Sequence, residues 1–243
     1  MIAYTTPLTS FIIASLNLWC FSEWDTRLPA IVKLLKEINP DILFTQETQR
    51  NIAIDPRNQI EIINAELGYP YHIFAPADIK TTRKDVTYKF PVEHGLGVLS
   101  KWPVITETIQ LKKSEDDKEK RIILTCEIDM GGVKHLLANL HFSNSDMWAE
   151  NHFKETLKIL NQKNITPILV GDFNIYNIVK YKDLYDSQYI SSSELYHYVS
   201  YPNDNASLDY ILLPQQYEFE DFSCRSEYVS DHRMIVAKVK TKE

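Results

Sequence analysis

The chain has 243 residues, 44% hydrophobic and 24% charged, which is enough to bury a substantial core and ordinary for a globular protein. Its net charge of −7 argues against tight, non-specific duplex binding, which depends on Lys and Arg meeting phosphates, although a local basic patch or bound cation can offset the total. Three widely spaced cysteines, Cys20, Cys126 and Cys224, with no Cys-x-x-Cys pair, read as buried reduced thiols in a cytoplasmic protein rather than as a disulfide or zinc framework.

The first 22 residues carry no charged side chain. No basic segment precedes the short apolar run FIIASL, however, and Asn17 follows at once. We therefore read residues 11–19 as a first core strand and not a secretion signal. Residues 26–38 place Leu28, Ile31, Val32, Leu35 and Ile38 on one helical face, and Asn39-Pro40 stops the helix. DILFTQE (41–47) is a second strand, and this β-α-β order implies parallel or mixed pairing. Residues 56–67 predict another helix, with Ile60, Ile63 and Leu67 inward, before the strand-like YHIF. The polar stretch 75–94 holds Lys80, Arg83, Lys84 and Lys89 beside Tyr88 and Phe90. It reads as a loop, either solvated or substrate-binding.

Strands are expected at 95–100, 104–111, 121–130 and 133–143, with the charged QLKKSEDDKEK stretch as an exposed hairpin tip. Residues 148–162 form a helix with Phe153, Leu157 and Leu160 inward, and TPILVGD is the next strand. The Tyr-, Ser- and Asn-rich interval 175–206 has no clear period. The chain closes with strands over 208–213, 217–222 and 234–239. No stretch is apolar enough to span a membrane, so no stable membrane insertion is expected. No repeat or linker divides residues 1–243, which we read as one domain. Many strands and few helices suggest two stacked sheets flanked by helices.

Several of these apolar runs end on residues that a buried strand disfavours: LNLW at Asn17, FTQET at Glu47, NLHFS at His141, VGDFN at Asp172 and Asn174, and VSDH at Asp231 and His232. SLDYILL opens on Asp209. Taken singly, each is a turn, a cap or a surface pair; spread along the chain, they suggest one site. Carboxylate and amide oxygens suit a hard divalent cation, and histidines suit proton transfer and phosphate stabilisation. Glu47 is the best metal-ligand candidate, with Asn17 beside it and Asp231 completing the set. Asp172 is placed to take a proton from water, and Asn174 to orient that water or contact a phosphoryl oxygen. Asp209 is expected to pair with His232. His72, His135, His152 and His197 read as structural, while His94 stays open. There is no Gly-x-Ser-x-Gly elbow and no cysteine beside a motif histidine, which weighs against a serine or cysteine nucleophile.

In these motifs, above all PDILFTQE, GDFN and SDH in order, the chain resembles the endonuclease/exonuclease/phosphatase superfamily. The likeness implies a deoxyribonuclease I-like four-layered α/β sandwich, with two mixed, mostly antiparallel sheets face to face between helices. It also implies Mg²⁺-dependent hydrolysis of a phosphate ester, with Mn²⁺ as a substitute. Nuclease-like cleavage is favoured, with a phospholipid or small phosphoester, or a non-catalytic binding module, as alternatives. Carried onto this chain, Glu47, Asn17 and Asp231 lie at the metal, and His141, Asp172, Asn174, Asp209 and His232 act on the phosphate. The implied partner is a phosphate-ester substrate, nucleic acid included, met by a monomer. The stretch AENHFKET departs from the arginine and glutamine common in relatives. Arg121 stands where relatives often carry arginine, and no long lipid-binding hairpin is evident.

Overall fold

The computed structural model describes residues 10–83, 86–113 and 119–242. Residues 1–9 of the uncharged N-terminal stretch, the Arg83 side chain and Lys84 of the basic stretch, and residues 114–118 of the charged one lie outside the described residues. Two units of the same plan set the architecture. Strand β1 (Ser10–Asn17), helix α1 (Trp24–Ile38) and strand β2 (Ile42–Arg50) form the first, with β1 and β2 parallel. Strand β7 (Lys134–His141), helix α3 (Asp146–Gln162) and strand β8 (Ile168–Asp172) form the second, again parallel. A helix crossover is what joins parallel neighbours.

Antiparallel strands extend each pair. The first sheet adds β3 (Tyr71–Arg83), β4 (Val86–Ser100), β11 (Tyr217–Cys224) and β12 (Ile235–Thr241), in the order β11-β12-β1-β2-β4-β3. The second adds β5 (Val104–Gln110), β6 (Ile122–Asp129), β9 (Tyr189–Ser191) and β10 (Asp209–Pro214), in the order β5-β6-β7-β8-β10-β9. The inner faces meet in one apolar layer that includes Phe11, Phe44, Val98, Leu124, Val170 and Ile211. Helix α1 and helix α2 (Gln59–Leu67) cover the outside of the first sheet through Ile31, Leu35 and Ile63. Helix α3 covers the second through Phe153, Leu157 and Leu160. The result is the expected four-layered sandwich.

Local chemistry explains the element ends. Helix α1 stops where Asn39 turns left-handed and its N–H returns to Leu35 O, just before Pro40. Helix α2 starts on a capping box, with Asn58 accepting from Glu61 N and Glu61 accepting from Asn58 N. Near the end of β8, Gly171 has φ 139°, and a Cβ there would lie 2.1 Å from Leu140 O. Only glycine lets β7 and β8 approach so closely at the strand end.

The stretch 75–94 departs from expectation. It is not a loop but the outer part of a hairpin between β3 and β4, paired from Tyr71↔Ser100 out to Thr82↔Thr87 and beyond. Toward the outer end Thr81, Thr82, Thr87, Lys89 and Phe90 are exposed, so no alternation of apolar and polar residues is needed there and a period-2 reading overlooks it. Pro76 fits because β3 is the sheet edge, where a missing N–H costs no ladder bond. The interval 175–206 resolves into short 3-10 turns, β9 and the four-residue helix α4 (Ser192–Leu195).

Candidate active site

The unusual strand ends gather at one edge of the sandwich. His141, Asp172 and Asp209 lie side by side on β7, β8 and β10, in the register His141↔Asp172 and Asp172↔Asp209. Asn17, at the end of β1 in the facing sheet, reaches across with Nδ2 donating to Asp172 Oδ2 at 3.0 Å. Beneath it, a buried polar tie joins the sheets: Gln46 Nε2 donates to Asn139 Oδ1 at 2.8 Å, and Asn139 Nδ2 to the carbonyls of Thr45 and Gly97. Fully partnered polar groups in an apolar core fix the register of the two layers.

Asp172 is the centre. Its Oδ1 accepts from Asn174 N at 2.9 Å, and Asn174, left-handed at φ 52°, ties its side chain to Phe142 O. Both His141 Nε2, at 3.5 Å, and His232 Nε2, at 3.8 Å, face Asp172 Oδ2. Burial and the nearby Asp209 raise the Asp172 carboxyl to about 7, against the pull of His232.

The two imidazoles are held in opposite states. His141 is buried, and Arg121 Nη1 donates to its Nδ1 at 2.9 Å. The ring therefore keeps its proton on Nε2. Burial first, then Arg121 and His94, drives its pKa well below the ordinary value, so His141 is neutral. For His232, burial opposes charge, but Asp209 and Asp172 outweigh it and raise the ring to about 10. Its Nδ1–H donates to Asp209 Oδ2 at 2.9 Å. Asp209 is aimed by Ser200, whose Oγ accepts from the backbone N–H of Leu208 and Asp209, and Tyr201 packs on the His232 ring at 4.8 Å.

Glu47 sits at an irregularity of β2, between Thr45 and Thr48, with φ 49°. Burial favours the protonated acid, yet His94, the Cys20 thiol and His232 together hold Glu47 below its usual range. Cys20 Sγ donates to Glu47 Oε2 at 3.1 Å. Half-buried Asp231, raised by burial, feels the charge of both Glu47 and His232. An ionised carboxylate with a second one nearby is a donor set that fits a divalent cation. Asn17 differs from a simple ligand, because its Oδ1 also accepts from Trp19 N at 2.9 Å, so both ends of the amide are engaged.

Three residues that sequence reading passed over or left open belong here. Arg121 is buried beside His141 and pairs with Glu119 at 2.5 Å. His94 packs on His141, with ring centroids 6.3 Å apart, and burial and Lys80 push it down to about 4. Buried Arg27 of α1 donates to the carbonyls of Leu18, Cys20, Ser22 and Val229, clamping the turn after β1 to the segment that carries Asp231 and His232. An arginine opening an apolar strand and a histidine before glycine were the available signals; Arg27 on an amphipathic helix offered none. Three further histidines serve the frame: His135 meets Tyr217, His72 meets Asn64, and His152 meets the Lys112 carbonyl.

The family model described as Endonuclease/Exonuclease/phosphatase family matches residues 14–232. A search of curated proteins returns no match. Among solved structures, the chain is similar to an endonuclease/exonuclease/phosphatase from Beutenbergia cavernae DSM 12333, with 14% identity and TM-score 0.77 over 96% of this chain and 72% of that one. It is also similar to a mannosyl-6-phosphatase from Bacteroides thetaiotaomicron VPI-5482, with 18% identity and TM-score 0.68 over 94% and 99%. Sphingomyelinase C from Streptomyces griseocarneus gives 19% identity and TM-score 0.66 over 96% and 99%. At such identities the likeness is one of fold.

Proposed function

The chain belongs to the endonuclease/exonuclease/phosphatase family, and on that footing we propose that it hydrolyses a phosphodiester with the aid of a divalent cation, a nucleic-acid strand being the favoured substrate. The observation that carries this reading is the convergence of Asn17, His141 and His232 on one carboxylate oxygen, Asp172 Oδ2. Asp172, poised near neutrality, takes the proton of a water attacking phosphorus in line. Asn17 and Asn174 hold its two oxygens. The His232 imidazolium and the neutral His141 Nε2–H are two preset donors for charge that grows on the phosphoryl oxygens. Glu47 and Asp231, with Asn17 beside them, would hold the cation. The family resemblance makes Mg²⁺, with Mn²⁺ as substitute, the expected ion, and it would supply further charge neutralisation when bound. We propose that the protein acts as a monomer in a reducing, cytoplasmic setting. No described helix is long and apolar enough to cross a membrane.

A second reading, a lipid or small phosphoester substrate, draws on the net charge of −7 and on Ile79 and Phe90, exposed on the β3–β4 ribbon. The test is turnover of bis(p-nitrophenyl) phosphate with metal present and then chelated, in the parent and in Glu47→Gln, Asp172→Asn and His232→Ala. Each substitution should abolish turnover while circular dichroism stays unchanged. Near-parental rates in all three would overturn the proposal. Plasmid DNA, single-stranded DNA, RNA, sphingomyelin and inositol phosphates then separate the substrates, a nucleic acid being marked by a steep loss of binding with salt.

A further inference from the structure

We infer that the ion held at Glu47 is a borderline transition metal of the zinc class, bound in preference to magnesium by the Cys20 sulfur, the Glu47 carboxylate and a His94 ring nitrogen. This deepens the function proposed above: it keeps the ion at Glu47, replaces the expected magnesium with one of the zinc class, and rests on that reading for its catalytic meaning.

The three donor atoms lie within 4.8 Å of one another, and Cys20 Sγ is 3.1 Å from Glu47 Oε2. Ligands about 2.1 and 2.3 Å from a tetrahedral zinc sit roughly 3.5 Å apart. Closing the cluster on an ion therefore asks for side-chain adjustment and no refolding. The chemistry selects the ion. Magnesium wants a nearly octahedral shell of oxygens and gives up water reluctantly, whereas thiolate and imidazole favour zinc and its neighbours. One sulfur, one nitrogen and one oxygen make three protein ligands, which leaves a fourth position for water or a phosphate oxygen, as in catalytic zinc sites.

The surroundings are built for it. Gln59 Nε2 donates to Cys20 O at 2.7 Å and Arg27 Nη2 to the same oxygen at 3.2 Å, fixing the backbone that carries the sulfur. Cys20 and His94 are both about 4% exposed. Among the described residues the other donor cluster, Asp172, Asp209 and His232, has no sulfur. Cys126 and Cys224 direct their thiols to the backbone carbonyls of Leu124 and Val199. On binding, the thiol proton now directed at Glu47 leaves to solvent and sulfur ligates as thiolate.

The test is spectroscopic and independent of turnover. Cobalt(II) titrated into the chelator-stripped full chain should produce a near-ultraviolet sulfur-to-cobalt charge-transfer band that saturates at one equivalent. Zinc should bleach the band and a large excess of magnesium should not. Cys20→Ser should lose the band and weaken zinc binding on the order of 100-fold or more, since changes even one step outside a ligand set cost about 10- to 100-fold. Cys126→Ser should keep both. X-ray absorption on the zinc-loaded parent chain, which needs no variant, should find one sulfur at about 2.3 Å. A cobalt spectrum without the band, or a zinc shell of oxygen and nitrogen alone, overturns the inference. A band with no ester turnover under any metal would instead sink the phosphoesterase reading and leave the metal site standing; turnover with magnesium and no band would do the reverse.

Discussion

His141 and His232 sit on opposite flanks of Asp172, yet one is neutral and the other charged. Both are buried, and burial pushes both rings toward neutrality. What differs is the partner at Nδ1: a guanidinium for His141 and a carboxylate for His232. Burial makes His141 neutral and Arg121 reinforces it, whereas for His232 the carboxylate behind the atom that faces Asp172 overrides burial and keeps the ring charged.

The largest effect should come from removing the rings themselves. A charged donor is roughly twice as strong as a neutral one, and losing a preset donor costs about 100- to 1,000-fold. His232→Ala should therefore sit near or beyond the upper end of that range and His141→Ala near the lower end, read as kcat on a diester. Equal losses would break the contrast.

Next comes the partner swap. Activity in the parent should rise with pH through about 7, as Asp172 ionises, and fall through about 10, as His232 loses its proton. Asp209→Asn removes the strongest influence that keeps the ring charged, so the alkaline limb should move down. Stability follows the same sign. His232 binds its proton more tightly folded than unfolded, so its contribution is complete below about 6.5 and is lost as pH climbs through about 10. Urea melts across that window should show the loss, and at lower pH in Asp209→Asn. A limb that stays at its parental pH would refute the pairing.

Arg121→Met should act more gently, by about tenfold in turnover, the worth of one charged hydrogen bond. Its sharper signature is a rise in the His141 pKa toward the ordinary range, read by NMR titration of the ring nitrogens. No shift would mean that burial alone keeps His141 neutral. The smallest effect belongs to Tyr201→Leu, which loses a ring contact on His232 worth about 0.5–1.5 kcal/mol. Chemical denaturation should register it with little change in rate.

Much of the fold is legible in the chain. Strands β1, β2, β7, β8, β10 and β12 announce themselves as apolar runs, and α1 and α3 by their periodic faces, because burial on a sheet or helix leaves a repeat in the sequence. The β3–β4 ribbon leaves none, since its outer part is solvated. The same rule governs the site. Asn17, Glu47, His141, Asp172 and Asp209 stand out as polar residues in or beside buried strands. Arg27, Gln46 and Asn139 do not, because a buried polar side chain makes sense only once its partner is in view.

By itself, then, the amino-acid order determined where the buried strands run and which residue types stand at their ends, since hydrophobic period and backbone preference are local properties. The tertiary structure alone decided which imidazole carries charge, which carboxylate waits near neutrality, and that Cys20 and His94 meet at Glu47. Those are matters of distance and desolvation between residues far apart in the chain, and no local pattern encodes them.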